Sequence, residues 1–141
     1  MDTEVLLNMY THDYTLSVQW SDMDAYQHVN NRHYLMWLEA CRIDLAHKYL
    51  PTDCTFIVAN VTIDYLIAVT FPDTVCAKSF VSRLGNSSMT LHTDIFSSSL
   101  EKKVSSADVV IVNYDYNNLC STAWSPTERT ALNKLMYSEQ K

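Results

Sequence analysis

Between positions 20 and 34 the chain reads Trp-Ser-Asp-Met-Asp-Ala-Tyr-Gln-His-Val-Asn-Asn-Arg-His-Tyr, which gathers Asp22, Asp24, His28, Asn30 and Asn31 into one short stretch. It lies where an alternating segment gives way to a helically spaced one. A helix that starts at such a seam has backbone N–H groups without intrahelical partners, and they point outward with the positive end of the helix dipole. A carboxylate just ahead of those amides has what acyl transfer requires. The anion attacks or activates water, and the amides stabilise the oxyanion that forms. Asp at a helix entrance also caps or makes an Asx turn. Asp22 and Asn30 can serve that purpose, which leaves Asp24 for the chemistry. His28 is read either as a hydrogen-bonded histidine of the seam or as a proton-handling group, and His33 as a surface or interface residue. The donors Asp22, Asp24, His28 and His33 fit no zincin or EF-hand spacing, so no metal is expected.

The elements that must position this segment follow from periodicity. Tyr14, Leu16, Val18 and Trp20 alternate with polar residues, as in a half-buried strand. Tyr34, Leu35, Leu38, Cys41, Leu45, Ala46 and Tyr49 share a helical face. Met36, Trp37 and Ile43 extend apolar character around that helix, so it is expected to be largely covered, and Pro51 ends it. Glu39 and Arg42 should pair along the helix, partly buried. Residues 56–67, 74–84, 89–96 and 107–116 read as successive strands, with turns at 71–73, 84–87 and 98–103. Residues 125–137 read as a short terminal helix entered at Pro126. One strand, one covered helix and then antiparallel strands make an α+β domain with a sheet wrapped around a central helix, one domain over residues 1–141.

Composition narrows the function. The 141 residues carry a net charge of −6, and no basic face for nucleic acid is visible. The acidic start resembles no secretory signal, and no run approaches the roughly 20 apolar residues of a spanning helix, so a cytoplasmic protein without membrane contact is expected. Cys41, Cys54, Cys76 and Cys120 lack zinc or CxxC spacing and are expected as free buried thiols. With Gly85 as the one glycine, glycine-dependent phosphate loops are excluded.

The run Asp22-Met-Asp24-Ala-Tyr-Gln-His28-Val-Asn30-Asn31-x-x-Tyr34, with Trp37-Leu-Glu39-Ala-x-Arg42, resembles the hotdog-fold acyl-thioester hydrolases of the hydroxybenzoyl-CoA thioesterase type. Val61-Thr-Ile-Asp-Tyr65, Asp73-Thr-Val75 and Arg83-Leu-Gly85-Asn-Ser-Ser88 follow in the expected order. The resemblance implies a hotdog fold, a dimer or tetramer with the site between subunits, and no cofactor. It implies Asp24 as the catalytic carboxylate, the Asn31 amide as the oxyanion donor, and Ser87 and Ser88 near the pantetheine arm or the neighbouring subunit's site. Tyr26, Val29 and Trp37 are candidates to line an acyl tunnel. Arg83, Lys78 and the pair Lys102-Lys103 are candidates to meet CoA phosphates. The implied activity is hydrolysis of an acyl-CoA to a free acid and CoA.

Two departures matter. Gln27 stands where the family usually has glycine, and Gln27-His28-Val-Asn-Asn also resembles the plant-type acyl-carrier-protein thioesterases. That branch's Asn is Tyr26 here, and its Glu-Cys pair after Asp64-Tyr65 is absent. The alternatives are an acyl-carrier-protein thioesterase and a non-catalytic acyl-CoA binding protein, with a hotdog dehydratase ranking lower.

Overall fold

The structure, a computed structural model, describes residues 9–136. The acidic start and Tyr137, the last residue of the expected terminal helix, lie outside the described residues. Strand β1 (His12–Ser17) is followed by a short 3₁₀ turn (Trp20–Asp22), helix α1 (Asn31–Tyr49), strands β2 (Phe56–Tyr65), β3 (Thr74–Leu84), β4 (Ser88–Ser97), β5 (Lys102–Asp115) and β6 (Cys120–Ser121), and helix α2 (Pro126–Lys134). The strands pair antiparallel in the order β1-β3-β4-β5-β2, with β6 on β5.

The sheet's inner face is set by alternation. Val75, Ala77 and Val81 of β3, Met89, Leu91 and Ile95 of β4, and Val109 and Ile111 of β5 are all buried. They meet Tyr34, Trp37, Leu38, Cys41 and Leu45, the stripe that α1 turns inward. Full burial of Leu38 or Leu45 is worth roughly 1.5–3 kcal/mol relative to exposure. This is the α+β hotdog arrangement expected, a sheet curled around a helix. α2 closes one end of the core through Leu132 and Leu135, its start fixed by a Ser125–Glu128 capping box and Pro126.

Several boundaries differ from the periodicity. β1 stops at Ser17 because the Val18 N–H turns away to the Asp73 carbonyl, and Asp22 accepts from the Gln19 N–H to hold the 3₁₀ turn. α1 starts at Asn31, ahead of the apolar stripe, because Asn30 caps it. β5 begins at Lys102, where cross-strand pairing overrides its polar composition, and β6, two residues long, carries no periodic signal. The cysteines are free, but only Cys41 is buried; Cys54 and Cys76 are half-buried and Cys120 is exposed. Burial pushes the Cys41 thiol up to about 11. Burial and the neighbouring Glu128 push Cys54 up to about 12.

α1 is expected to be largely covered, but within the protomer only one side of it is. Leu35, Met36, Ile43 and Tyr49 are exposed, because the sheet wraps only one side of the helix. Among the described residues the neighbouring edge strand β2 pairs only with β5, and it exposes Ile57, Val61 and Tyr65. The opposite edge, β1, is shorter and exposes Asp13, Thr15 and Ser17 instead.

The outer face of the sheet carries a polar network around Asp94, which is 2% exposed. Its carboxylate accepts from Tyr10 Oη at 2.5 Å and Ser106 Oγ at 2.7 Å, and meets His92 Nε2 at 3.1 Å; the other His92 nitrogen is 2.8 Å from Asp108. Burial alone raises a carboxyl pKa, but the hydrogen bonds from His92, Tyr10 and Ser106 outweigh it and hold Asp94 at about 2. A depressed carboxyl pKa adds stability above its unfolded value near 4, lost as pH falls toward 2. Asp94→Asn should remove about 2 kcal/mol of that pH-dependent stability, read as a flatter acid limb in urea melts between pH 2 and 5. The hydrogen bonds to Asp94 and Asp108 raise His92 against the opposing effect of burial, so its contribution is complete below its unfolded pKa and is lost as pH rises through the folded one.

Candidate active site

The segment from Asp22 to Asn30 folds back on itself. Met23 bridges Val29 antiparallel, the Asp24 N–H donates to the His28 carbonyl at 2.9 Å, and the Asn30 N–H donates to the Asp22 carbonyl at 3.0 Å. Asp24 therefore stands beside the chain that runs directly into α1. At the return of this loop Gln27 has φ 61°, the left-handed region, and its N–H donates to the Asp24 carbonyl at 3.0 Å. Glycine suits that backbone without strain, which explains its usual presence there; a side chain in this region costs about 1–2 kcal/mol. Gln27→Gly should raise unfolding stability by about 0.5–1 kcal/mol, measured by denaturant titration. A less stable variant would mean that the Gln27 side chain holds the loop.

Oδ1 of Asp24 accepts from the Tyr26 N–H at 2.9 Å, the Asx turn that aspartate often makes. Oδ2 has no protein partner among the described residues. Asp24 lines a cleft of about 780 Å³ with Trp20, Ser21, Met23, Gln27, Thr70 and Phe71. The far wall is held by Asp73, which accepts from the Thr74 and Ser99 N–H groups at 2.7 and 3.0 Å and from Ser97 Oγ at 2.5 Å. Burial raises the Asp73 pKa, and these hydrogen bonds outweigh it to keep the carboxyl below its ordinary value.

The helix cap determines which amide stays open. Asn30 Oδ1 accepts from the Arg32 N–H at 3.1 Å, and its carbonyl accepts from the His33 N–H at 2.9 Å. The Asn31 N–H has no protein partner among the described residues. One turn of helix dipole is thus focused on a single free donor, beside the loop that carries Asp24. The Asn31 carbonyl accepts from Tyr65 Oη at 3.4 Å, and Tyr65 packs edge-on against Tyr34 at 5.1 Å. β2 thereby steadies the helix start.

Other expected site residues fall elsewhere. Asp22 is structural, bound to the Gln19 N–H and 3.4 Å from His33 Nδ1. His33 is largely buried in the protomer, not a surface residue, and its Nε2 has no protein partner among the described residues. His28 is exposed and meets Asp24 through its backbone carbonyl; among the described residues its ring makes no hydrogen bond to Asp24. Tyr26 is 84% exposed and stands outside the cleft lining. Val29, expected beside an acyl group, is instead a core residue, 4% exposed, its N–H tied to the Val69 carbonyl at 2.8 Å. Trp37 is likewise in the core against Tyr34. Arg83, Ser87 and Ser88 lie at the far end of β3, whose length from Thr74 to Leu84 spans about 33 Å. Ser87 and Ser88 use their carbonyls to accept from Asn113 and Trp124. One protomer therefore does not bring them to Asp24. Trp20, Thr70 and Phe71 are the cleft residues that sequence reading missed. Trp20 continues the β1 alternation in the sequence but sits in the 3₁₀ turn, and nothing local marks Thr70 and Phe71 as neighbours of Asp24.

Among the described residues no cluster of three or more His, Cys, Asp or Glu side chains is arranged to hold a metal, and no helix is long and apolar enough to cross a membrane. Comparison with curated proteins gives no significant match. Solved structures do resemble the fold. The PA5185 protein of Pseudomonas aeruginosa is 26% identical with a TM-score of 0.83, over 94% of this chain and 96% of its own. A Xanthomonas campestris protein proposed to be an acyl-CoA thioesterase is 28% identical with a TM-score of 0.71, over 82% of this chain and 99% of its own. The 1,4-dihydroxy-2-naphthoyl-CoA thioesterase of Synechocystis shares the fold at 12% identity, with a TM-score of 0.79 over 88% of this chain and 96% of its own. The family model of the thioesterase-like superfamily matches residues 18–132, a span that takes in the Asp24 loop, the capped helix start and strands β2 to β6, and the chain belongs to that superfamily.

Proposed function

We propose that this chain is an acyl-CoA thioesterase, hydrolysing the thioester to a carboxylic acid and CoA in a homodimer of single-domain subunits. What supports this reading is that Asp24 lines the cleft on the loop that runs into α1, the helix whose first N–H, on Asn31, its own cap leaves open. The thioester carbonyl oxygen accepts from Asn31, which polarises it. Asp24 then takes a proton from water that attacks the carbonyl carbon, or attacks that carbon itself to give a mixed anhydride that water opens. In either course the C–S bond breaks, CoA leaves as the thiol, and Asp24 is returned as the carboxylate. Similarity to the Xanthomonas campestris protein favours a CoA ester. The acyl-carrier-protein reading gains less, since it assigns work to His28, whose side chain is not bonded to Asp24.

The dimer reading rests on β2. A ten-residue edge strand with exposed Ile57, Val61 and Tyr65, beside exposed Leu35, Met36 and Ile43, is a row of unpaired backbone groups next to an apolar patch. Antiparallel self-pairing of β2 satisfies both. It also reverses one sheet end onto the other, carrying Ser87 and Ser88 of the partner subunit toward the end that holds Asp24, on the side where the resemblance wants them.

Continuous thiol release from acetyl, medium-chain, long-chain and benzoyl CoA esters tests the reading. Release that depends on Asp24 supports it. No release from any CoA ester by folded protein moves the assignment to a carrier-protein ester or to binding without hydrolysis.

A further inference from the structure

Position 27 is where the chain accepts an unfavourable backbone conformation beside its reacting group. The Gln27 N–H donates to the Asp24 carbonyl at 3.0 Å, and the Asp24 N–H donates to the His28 carbonyl at 2.9 Å. Those two bonds close a tight hairpin in which the residue after the turn enters the left-handed region, and Gln27 does so with φ 61°. Glycine or asparagine suits such a corner better than a longer side chain. Among the described residues Glu101 and Leu119 share this conformation, at φ 53° and 56°. They sit in connections between strands and line no part of the Asp24 cleft, whereas Gln27 does. An unfavourable backbone at a reacting site directs attention to what its side chain does there.

The side-chain amide is uncommitted. Gln27 is exposed, and its Oε1 and Nε2 have no protein partner among the described residues. Asp24 Oδ2 is in the same position, since the Tyr26 N–H is bonded to Oδ1. The turn keeps the Cα atoms of Asp24 and Gln27 within about 7 Å of each other, and both side chains line one cleft. Ser21 and Thr70 add hydroxyls to that lining, but neither is tied to the Asp24 peptide as Gln27 is. Resting on the thioesterase reading above, we propose that the Gln27 amide holds the hydrolytic water against Asp24. A water that gives one proton to Asp24 Oδ2 and the other to Gln27 Oε1 has a lone pair left to face the carbonyl carbon polarised at Asn31. As the O–C bond forms, the first proton passes to Asp24. The second stays on the oxygen that becomes the hydroxyl of the acid. The C–S bond then breaks, and the departing sulfur takes the proton back from Asp24, which leaves CoA as the thiol and Asp24 as the carboxylate. The amide gains and loses nothing, and Asp24 acts as general base.

Gln27→Met and Gln27→Gly test this on whichever CoA ester of the panel above the wild type hydrolyses fastest. Methionine keeps the length of the side chain and the backbone corner but removes the amide. Glycine removes the amide and relieves the backbone. Both should lower kcat by roughly 10–100-fold with KM changed by less than about twofold, because the water is lost from the reacting step and not from substrate binding. Urea melts supply a reading that a merely structural residue would not give: Gln27→Gly should gain stability as it loses turnover. Wild-type kcat in Gln27→Met overturns the proposal, because the amide is then dispensable. A raised KM with kcat intact overturns it as well, by placing the amide on the substrate. So does a joint loss of stability and turnover in Gln27→Gly, which would make the side chain a support of the loop. A wild type that hydrolyses no ester of the panel overturns the thioesterase reading itself, and the proposal with it.

Discussion

Asp24→Asn should lower kcat for acyl-CoA hydrolysis by roughly 10²–10⁴-fold with little change in KM or in thermal stability. The substitution separates chemistry from structure. Asn keeps an oxygen at the Oδ1 position, where it can still accept the Tyr26 N–H that now lies at 2.9 Å, so the turn persists. It loses the negative charge and the basic lone pair that either mechanism needs. Asp24→Ala would be less informative because it removes the turn as well. Asp22→Asn supplies the contrast, since Asp22 serves the 3₁₀ turn and His33. It should affect stability more than turnover. An Asp24→Asn protein with kcat intact would end the catalytic assignment, whatever happened to KM.

Val61→Arg should convert the proposed dimer to monomer and take most of the activity with it. Val61 sits near the middle of β2 and is 38% exposed in the protomer, so the isolated fold tolerates a long polar side chain there. At a two-fold axis the substitution buries two like charges against each other. An unpaired charge in an interface costs roughly 3 kcal/mol or more, about a hundredfold or more in the dimer Kd. Sedimentation equilibrium with far-UV circular dichroism reads this directly, as a halved mass with retained secondary structure. Wild-type protein that is already monomeric and fully active would refute the role given to β2.

Much of the architecture was legible because it rests on local regularities. The bounds of β3 agree at both ends, since Val75, Ala77, Ser79 and Val81 alternate inward without interruption. The α1 stripe of Tyr34, Leu38, Cys41 and Leu45 is a matter of helical spacing, and the capping of α2 follows from Ser125, Pro126 and Glu128. The Asp24 motif was visible for the same reason: its turn, its cap and the free Asn31 amide are all made by residues within a few positions of one another.

Contacts between segments distant in the chain were decided only by the tertiary structure. Trp20, Thr70 and Phe71 share the Asp24 cleft because Asp73 ties the β2–β3 connection to Ser97 and Ser99. Val29 went to the core because the loop closes on Val69, and Arg83, Ser87 and Ser88 were carried to the far end of the sheet by the length of β3. The exposed side of α1 tells the same story. Composition alone makes that helix look enclosed, but a sheet whose last strand is β2 covers only one side of it. Periodicity reports that a residue is apolar and which way it faces within its own element. Which element it meets, and whether that element belongs to the same chain, depends on strand order and on where the sheet ends.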